Sequence, residues 1–227
     1  MSLLRRRGQT SFEVPVQDFT VRVSARVELY EEARAAAMQV WEQLQSYGIR
    51  HREFRTSKRP LTVPDDAPDI VRRMASVSRA VGVGPMFTIQ GALTEHVGRL
   101  LAPHAPELAV TTGGDYFLVS RKRAKLAVHQ GAGEPMSIVI RPDLGPIGVY
   151  TTMGRLQTPA ETADAVIVVA DSCILADAVA TAVMAILRRP DALAGALRYI
   201  RSFQGVHGGI VVMGERIGLA GSVEIAP

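Results

Sequence analysis

Apolar and polar side chains alternate through Thr10–Val16 and again from Thr20 to Leu29, with Phe19, Val21, Val23, Ala25 and Val27 on one face and Arg22, Ser24, Arg26 and Glu28 on the other. A period of two predicts two strands, and Gln17-Asp18 between them predicts an antiparallel turn. From Glu31 the spacing becomes helical, with Ala35, Met38, Trp41 and Leu44 as the apolar stripe, Trp41 in the core, and Gly48 as the stop after Tyr47. His51 to Pro68 is polar, basic and proline-rich, which predicts an ordered surface connection whose charges face either solvent or an anionic ligand.

Helical spacing returns at Asp69–Ala80 and Thr88–Leu101, separated by Gly82-Val83-Gly84-Pro85-Met86. Strands are predicted at Leu108–Thr112 and Tyr116–Ser120 around Gly113-Gly114-Asp115, then at Leu126–Gln130, Ser137–Ile140, Gly148–Thr152 and Ala165–Ala170. An alanine-rich helix from Ile174 to Arg188, a helix at Asp191–Ser202, and strands at Gly209–Met213 and Ile217–Glu224 complete the pattern. Strands and helices come in blocks rather than in strict alternation. That grouping predicts an α+β protein, a largely antiparallel sheet packed with helices.

Composition narrows the class. The chain has 227 residues, 47% hydrophobic and 21% charged, which suits a single domain over 1–227 with a flexible basic segment at about 1–9. The net charge of +4 is spread among Glu and Asp rather than gathered in one stripe, which argues against nucleic acid as a partner. Ala165–Ala170, the longest apolar run, is too short to cross a bilayer, and the basic start Met1–Arg7 is followed by no apolar signal core. The single cysteine, Cys173, excludes a disulfide within the chain and reads as a small buried thiol, so the expected location is cytoplasmic. Strand edges beside an alanine-rich helix leave a homo-oligomer among the expectations.

The candidate chemistry centres on oxygen donors. Asp177 and Thr181 lie four positions apart on one helical face, a carboxylate and a hydroxyl that suit a hard cation such as Mg²⁺ against a phosphate-bearing ligand. The alternative is that Asp177 serves the helix dipole and Thr181 bonds back to a carbonyl. Gly82 and Gly84, before Pro85 and Met86, offer amide donors to an anion or a planar ring, or else allow tight helix packing. Phe87 stands where a dinucleotide loop would need its third glycine. Gly113-Gly114-Asp115 is either a ligand-facing turn or a tight β-turn capped by its own Asp. Thr151 and Thr152 carry hydroxyls suited to phosphate, with Arg155 nearby in sequence. Glu95 and His96 either approach a cleft or sit on an exposed helical face. The five histidines form no paired metal motif, and His207-Gly208-Gly209 lacks a nucleophile elbow to accompany it.

As an ordered set, Arg52-Glu53-Phe54, Ala67-Pro68-Asp69-Ile70-Val71 through Met74, Val81 to Met86, Gly113-Gly114-Asp115 and Ala176-Asp177-Ala178 through Thr181 resemble one family. It comprises the short, uncharacterised relatives of the ApbE-like FAD:protein FMN transferases, and the likeness runs from about Val14 to Ile225. The resemblance implies an ApbE-like, T-fold-related architecture. It also implies Mg²⁺ held near Asp177 and Thr181 against the pyrophosphate of FAD, a ligand close to Gly113-Gly114-Asp115, and FMN passed to a Thr hydroxyl on a protein partner. The family follows its central strand with a histidine-bearing turn, whereas Tyr150 to Pro159 contains no histidine. Two functions follow: a metal-assisted enzyme acting on FAD, FMN or a related nucleotide, or a non-catalytic accessory protein in cofactor or sulfur metabolism, such as sulfur insertion in homocysteine formation. A self-associating scaffold is the third.

Overall fold

The computed structural model describes residues 9–128, 136–151, 163–189 and 191–226. A hairpin of β1 (Thr10–Val16) and β2 (Phe19–Ala25) leads into α1 (Tyr30–Arg50), α2 (Arg52–Thr56), α3 (Asp69–Val81), a 3₁₀ turn (Pro85–Thr88) and α4 (Ile89–Leu101). Strands β3 (Leu108–Thr112), β4 (Asp115–Val119), β5 (Ala124–Val128), β6 (Met136–Ile140), β7 (Ile147–Thr151) and β8 (Ala165–Ala170) precede α5 (Cys173–Ile186) and α6 (Leu193–Arg201). The chain finishes with β9 (Val206–Met213), β10 (Arg216–Gly221) and β11 (Ile225–Ala226).

Eight strands form one antiparallel sheet in the order β1-β2-β3-β4-β7-β8-β9-β10, and β11-β6-β5 form a second. Helices cover one face nearly in register with the sheet: α1 on β1, α4 on β3 and β4, α5 on β7 and β8, α6 on β9 and β10. On the opposite face Ile167, Val169, Ile210 and Val212 pack against Leu126, Ile138 and Ile140 of the small sheet. This double cover explains why β7 and β8 are buried at every position and read as unbroken apolar runs rather than as alternation. Helix α5 comes very close to β7, where a Cβ on Gly148 would stand 2.2 Å from the Cys173 nitrogen.

The predicted α+β class and antiparallel sheet are what the structure has, with local differences. Helix α1 runs through Gly48 to Arg50; Gly48 is buried, and its missing side chain leaves room for the Arg55 stem, whose Cγ lies 2.6 Å from the Cβ position. The buried stripe of α1 is Ala33, Ala36, Ala37, Val40, Leu44 and Tyr47. Ala35 is exposed, and Trp41 is half-buried with its ring edge-on to Phe19 at 5.8 Å. The 51–68 connection contains the short helix α2, pinned by buried Phe54. Strand β2 stops at Ala25. The last predicted strand divides at Gly221, whose φ of 67° turns the chain out of one sheet and into the other. Among the described residues no helix is long and apolar enough to cross a membrane.

Candidate functional site

Helix α5 starts at Ser172, whose hydroxyl accepts the Leu175 amide at 3.3 Å as an N-cap. One turn on, Asp177 is only 4% exposed, and its Oδ2 accepts the Gly91 N–H of α4 at 3.2 Å. The two helices can meet this closely because residue 91 has no side chain: a Cβ there would fall 2.6 Å from the Cys173 carbonyl oxygen and 3.1 Å from Asp177 Cβ. Thr181 follows one turn after Asp177, half-buried on the same helical face.

A second carboxylate crosses the same interface in the opposite direction. Glu95, one turn beyond Gly91 on α4, is fully buried and accepts the Ile174 amide of α5 at 3.3 Å and the Ser172 hydroxyl at 2.6 Å. Arg99 Nε donates to it at 2.7 Å, and the Arg73 guanidinium of α3 adds a further close contact. Burial alone would raise the Glu95 pKa, but the Ser172 hydroxyl and the Arg73 and Arg99 charges outweigh it and hold the carboxyl below its ordinary range. Burial, with help from Arg73, also holds the neighbouring His96 below its usual value. Glu95 thus occupies neither a cleft nor an exposed face; it is the buried half of a reciprocal clasp between α4 and α5.

The head of α4 also meets the glycine turn. Gly113 has φ 63°, and a Cβ on it would lie 2.5 Å from Gln90 Oε1, so the Gln90 amide covers this turn. A Cβ on Gly114 would strike the Thr151 carbonyl at 2.0 Å. Thr151 donates to the Gly114 carbonyl through its amide at 2.8 Å and its hydroxyl at 3.3 Å, and is itself buried. Asp115 opens β4 rather than sitting in the turn, fully buried and in register with Tyr150. Asp177, the glycine turn and Thr151 are therefore linked around Gln90 and Gly91. Thr152 and Arg155 lie outside the described residues.

The Gly82 to Met86 element has a larger structural part than the amide-donor expectation allows. Gly82 closes α3 at φ 86°, and its N–H donates to the Ser78 carbonyl at 2.8 Å, so that amide is not offered to an anion. At Gly84 the Ser57 carbonyl oxygen lies 2.1 Å from where a Cβ would be, the tight packing that was the alternative. Pro85 opens the 3₁₀ turn and is buried, Met86 is half-buried, and the turn packs against α5 at the head of α4.

Among the described residues no group of three or more His, Cys, Asp and Glu is placed to hold a metal. Asp177 and Thr181 supply hard oxygen donors of the kind Mg²⁺ takes in small numbers, the rest of its shell coming from water and phosphate. Sequence reasoning passed over Gln90, Gly91 and the support given by Glu95. Only Gly91 carried a signal, as a glycine inside a helical pattern.

The profile of the family described as AbpE bacteria matches residues 1–196. UPF0280 proteins of Methanosarcina acetivorans and Methanopyrus kandleri are 27% and 29% identical to the chain, over 92% and 90% of it and 85% and 86% of their own lengths. The UPF0280 protein of Methanocaldococcus jannaschii is 31% identical over 80% of the chain and 78% of its own length. Among solved structures, the flavin transferase ApbE from Vibrio cholerae superposes with a TM-score of 0.63 at 12% identity, covering 94% of this chain and 97% of that one. The apo form of the Pseudomonas stutzeri flavinyl transferase ApbE gives 0.61 at 15% identity, with 93% and 94% covered. At these identities the structural likeness is one of fold.

Proposed function

The chain belongs to the AbpE bacteria family, and from that premise we propose that it binds a flavin or a related phosphate-bearing nucleotide, together with Mg²⁺, at the head of α4. The observation that carries this reading is Asp177: a nearly buried carboxylate, oriented by the Gly91 amide and one helical turn before Thr181, beside a glycine turn that brings backbone close. Asp177 and Thr181 would hold the ion. When bound, Mg²⁺ neutralises phosphate charge and stabilises the leaving phosphate oxygen. The Gly91 amide fixes the Asp177 rotamer, Gln90 and Gly113 wall the site beside it, and Glu95 keeps α5 seated.

In the transferase form of this reading the substrate is FAD. A protein Thr hydroxyl forms a new P–O bond to the FMN phosphorus, the pyrophosphate P–O bond breaks, AMP leaves, and the hydroxyl proton passes to solvent or a base. The accessory-protein reading is favoured by one observation, the absence of a histidine from Tyr150 to Pro159. Both share the ligand site and differ in turnover.

Calorimetric titration of metal-stripped protein with FAD, FMN and ATP, with and without Mg²⁺, tests the site. Flavin binding that depends on Mg²⁺ and weakens about tenfold or more in Asp177→Ala is expected, the loss of one charged ligand contact. Failure of the wild type to bind flavin with Mg²⁺ present overturns the reading. Release of AMP from FAD in the presence of a Thr-bearing acceptor peptide then separates enzyme from accessory protein.

A further inference from the structure

The eight-stranded sheet ends in two open edges of opposite character. On the face that carries the small sheet, edge strand β1 presents Ser11, Glu13 and Pro15, all exposed. Glu13 is ion-paired with Arg22 across the hairpin, and Pro15 has no amide hydrogen to offer. A charge and a proline are common guards against another strand adding to an edge. Edge strand β10 carries Ile217 and Leu219 on that same face, 52% and 45% exposed. Their register partners Val212 and Ile210 are buried beneath the small sheet, which does not reach as far as β10.

The backbone of β10 is open as well. The Ser222 amide donates to the His207 carbonyl at 2.9 Å, which fixes the phase of the β9–β10 ladder. Gly218 and Ala220 therefore exchange hydrogen bonds with β9, and the N–H and C=O groups of Ile217 and Leu219 point outward from the edge. In keeping with that phase, the Leu219 carbonyl accepts Arg201 Nη2 at 3.1 Å from outside the ladder, and it keeps a second lone pair. Among the described residues the Ile217 and Leu219 amides have no acceptor. The other face of the strand is closed by α6, since a Cβ on Gly218 would stand 2.7 Å from Leu197 Cδ1.

We propose that β10 is the subunit interface of a homodimer in which two copies pair edge to edge and join their sheets. The occupant is a second copy because the strand is its own complement. Antiparallel pairing about a two-fold axis through Gly218 sets Ile217 opposite Leu219 of the partner subunit, so the outward N–H and C=O groups of each strand meet those of the other. The two isoleucines and two leucines then form one apolar patch on the small-sheet face. Arg216 falls opposite the partner's Ala220, about 13 Å along the strand from the partner's Arg216, so the strand's own charges do not oppose its pairing. Because β10 lies three strands from β7, the Asp177 site stays outside the contact.

The test is sedimentation velocity of the full chain from about 1 to 300 μM, the range in which so small a contact associates. It compares the wild type, the double variant Ile217→Lys with Leu219→Lys, and Leu100→Lys, which charges a similarly exposed leucine on α4. The wild type and Leu100→Lys should dimerise with the same midpoint, and the double variant should associate at least about tenfold more weakly, since like charges then face each other across the edge. In proton–nitrogen spectra the Ile217 and Leu219 amides should move downfield as dimer accumulates, because each gains an acceptor. All three substituted side chains are exposed, and thermal melting checks that the variants fold. A wild type that stays monomeric throughout overturns the proposal. So does a dimer that survives the double variant, that is lost equally in Leu100→Lys, or that leaves those two amides unshifted.

Discussion

Asp177 and Glu95 are both buried acids, separated in role by what surrounds them. Asp177 sits at the end of the α4–α5 interface that meets the glycine turn, whereas Glu95 is enclosed by the Ser172 hydroxyl, the Ile174 amide and two arginines. Replacing Glu95 with Gln keeps the shape and removes the charge, leaving Arg73 and Arg99 without their shared partner. Both arginines are partly exposed and can resolvate, so the cost should be about 2 kcal/mol, below that of a fully buried pair, read from the urea midpoint. Cys173 is a different case: it is fully buried, its thiol donates to the Tyr116 carbonyl at 3.3 Å, and burial first, then nearby acids led by Glu95, push its pKa well up. It should resist alkylation in the native protein and react on unfolding, as mass spectrometry with iodoacetamide would show. The Asp177–Thr181 spacing was legible in the sequence because both residues lie on one helix. The partners of Asp177 and Glu95 were not, being 86 and 79 residues away along the chain.

Elements were legible where one periodicity held, as in α3, α4 and β1, and β8 was legible as an unbroken apolar run. The misreadings have local physical causes. Gly48 signals a helix stop, but the Arg55 stem fills the space beside it and α1 continues; α2, at five residues, is too short to show a period. The second sheet was not anticipated, since strand patterns do not say which neighbours they choose. Two glycine substitutions separate packing from turn geometry. Gly91→Ala gains some helix propensity but forces a methyl to within 2.6 Å of the Cys173 carbonyl. A net loss of about 2 kcal/mol, with weakened flavin binding, is expected from paired melting and titration. Gly82→Ala strains a φ of 86° with nothing nearby to collide with, and should cost about 1 kcal/mol while leaving flavin affinity unchanged.

The whole molecule should be acid-sensitive in two steps. His96 and Glu95 both have folded pKa values below their unfolded ones, His96 through burial and Arg73, Glu95 because its hydrogen bonds and arginines outweigh burial. In both cases the unfolded chain takes up protons at a higher pH than the native protein does. The combined contribution of these two groups is therefore level above about pH 6.5, falls as His96 charges more readily in the unfolded chain, and falls again below about pH 4.3 as the Glu95 contribution is lost. Urea midpoints across pH 7 to 3 should show both declines in the wild type and only the first in Glu95→Gln. The α4–α5 clasp also has a kinetic signature. Gly91 and Ile174 lie in the first turns of their helices, where amide hydrogens have no intrahelical acceptor and usually trade with solvent quickly. Each is held instead by an acid from the other helix, so neither can be released by fraying of its own end. Their deuterium uptake should be slow, matched to one another, and governed by separation of the two helices rather than by local breathing.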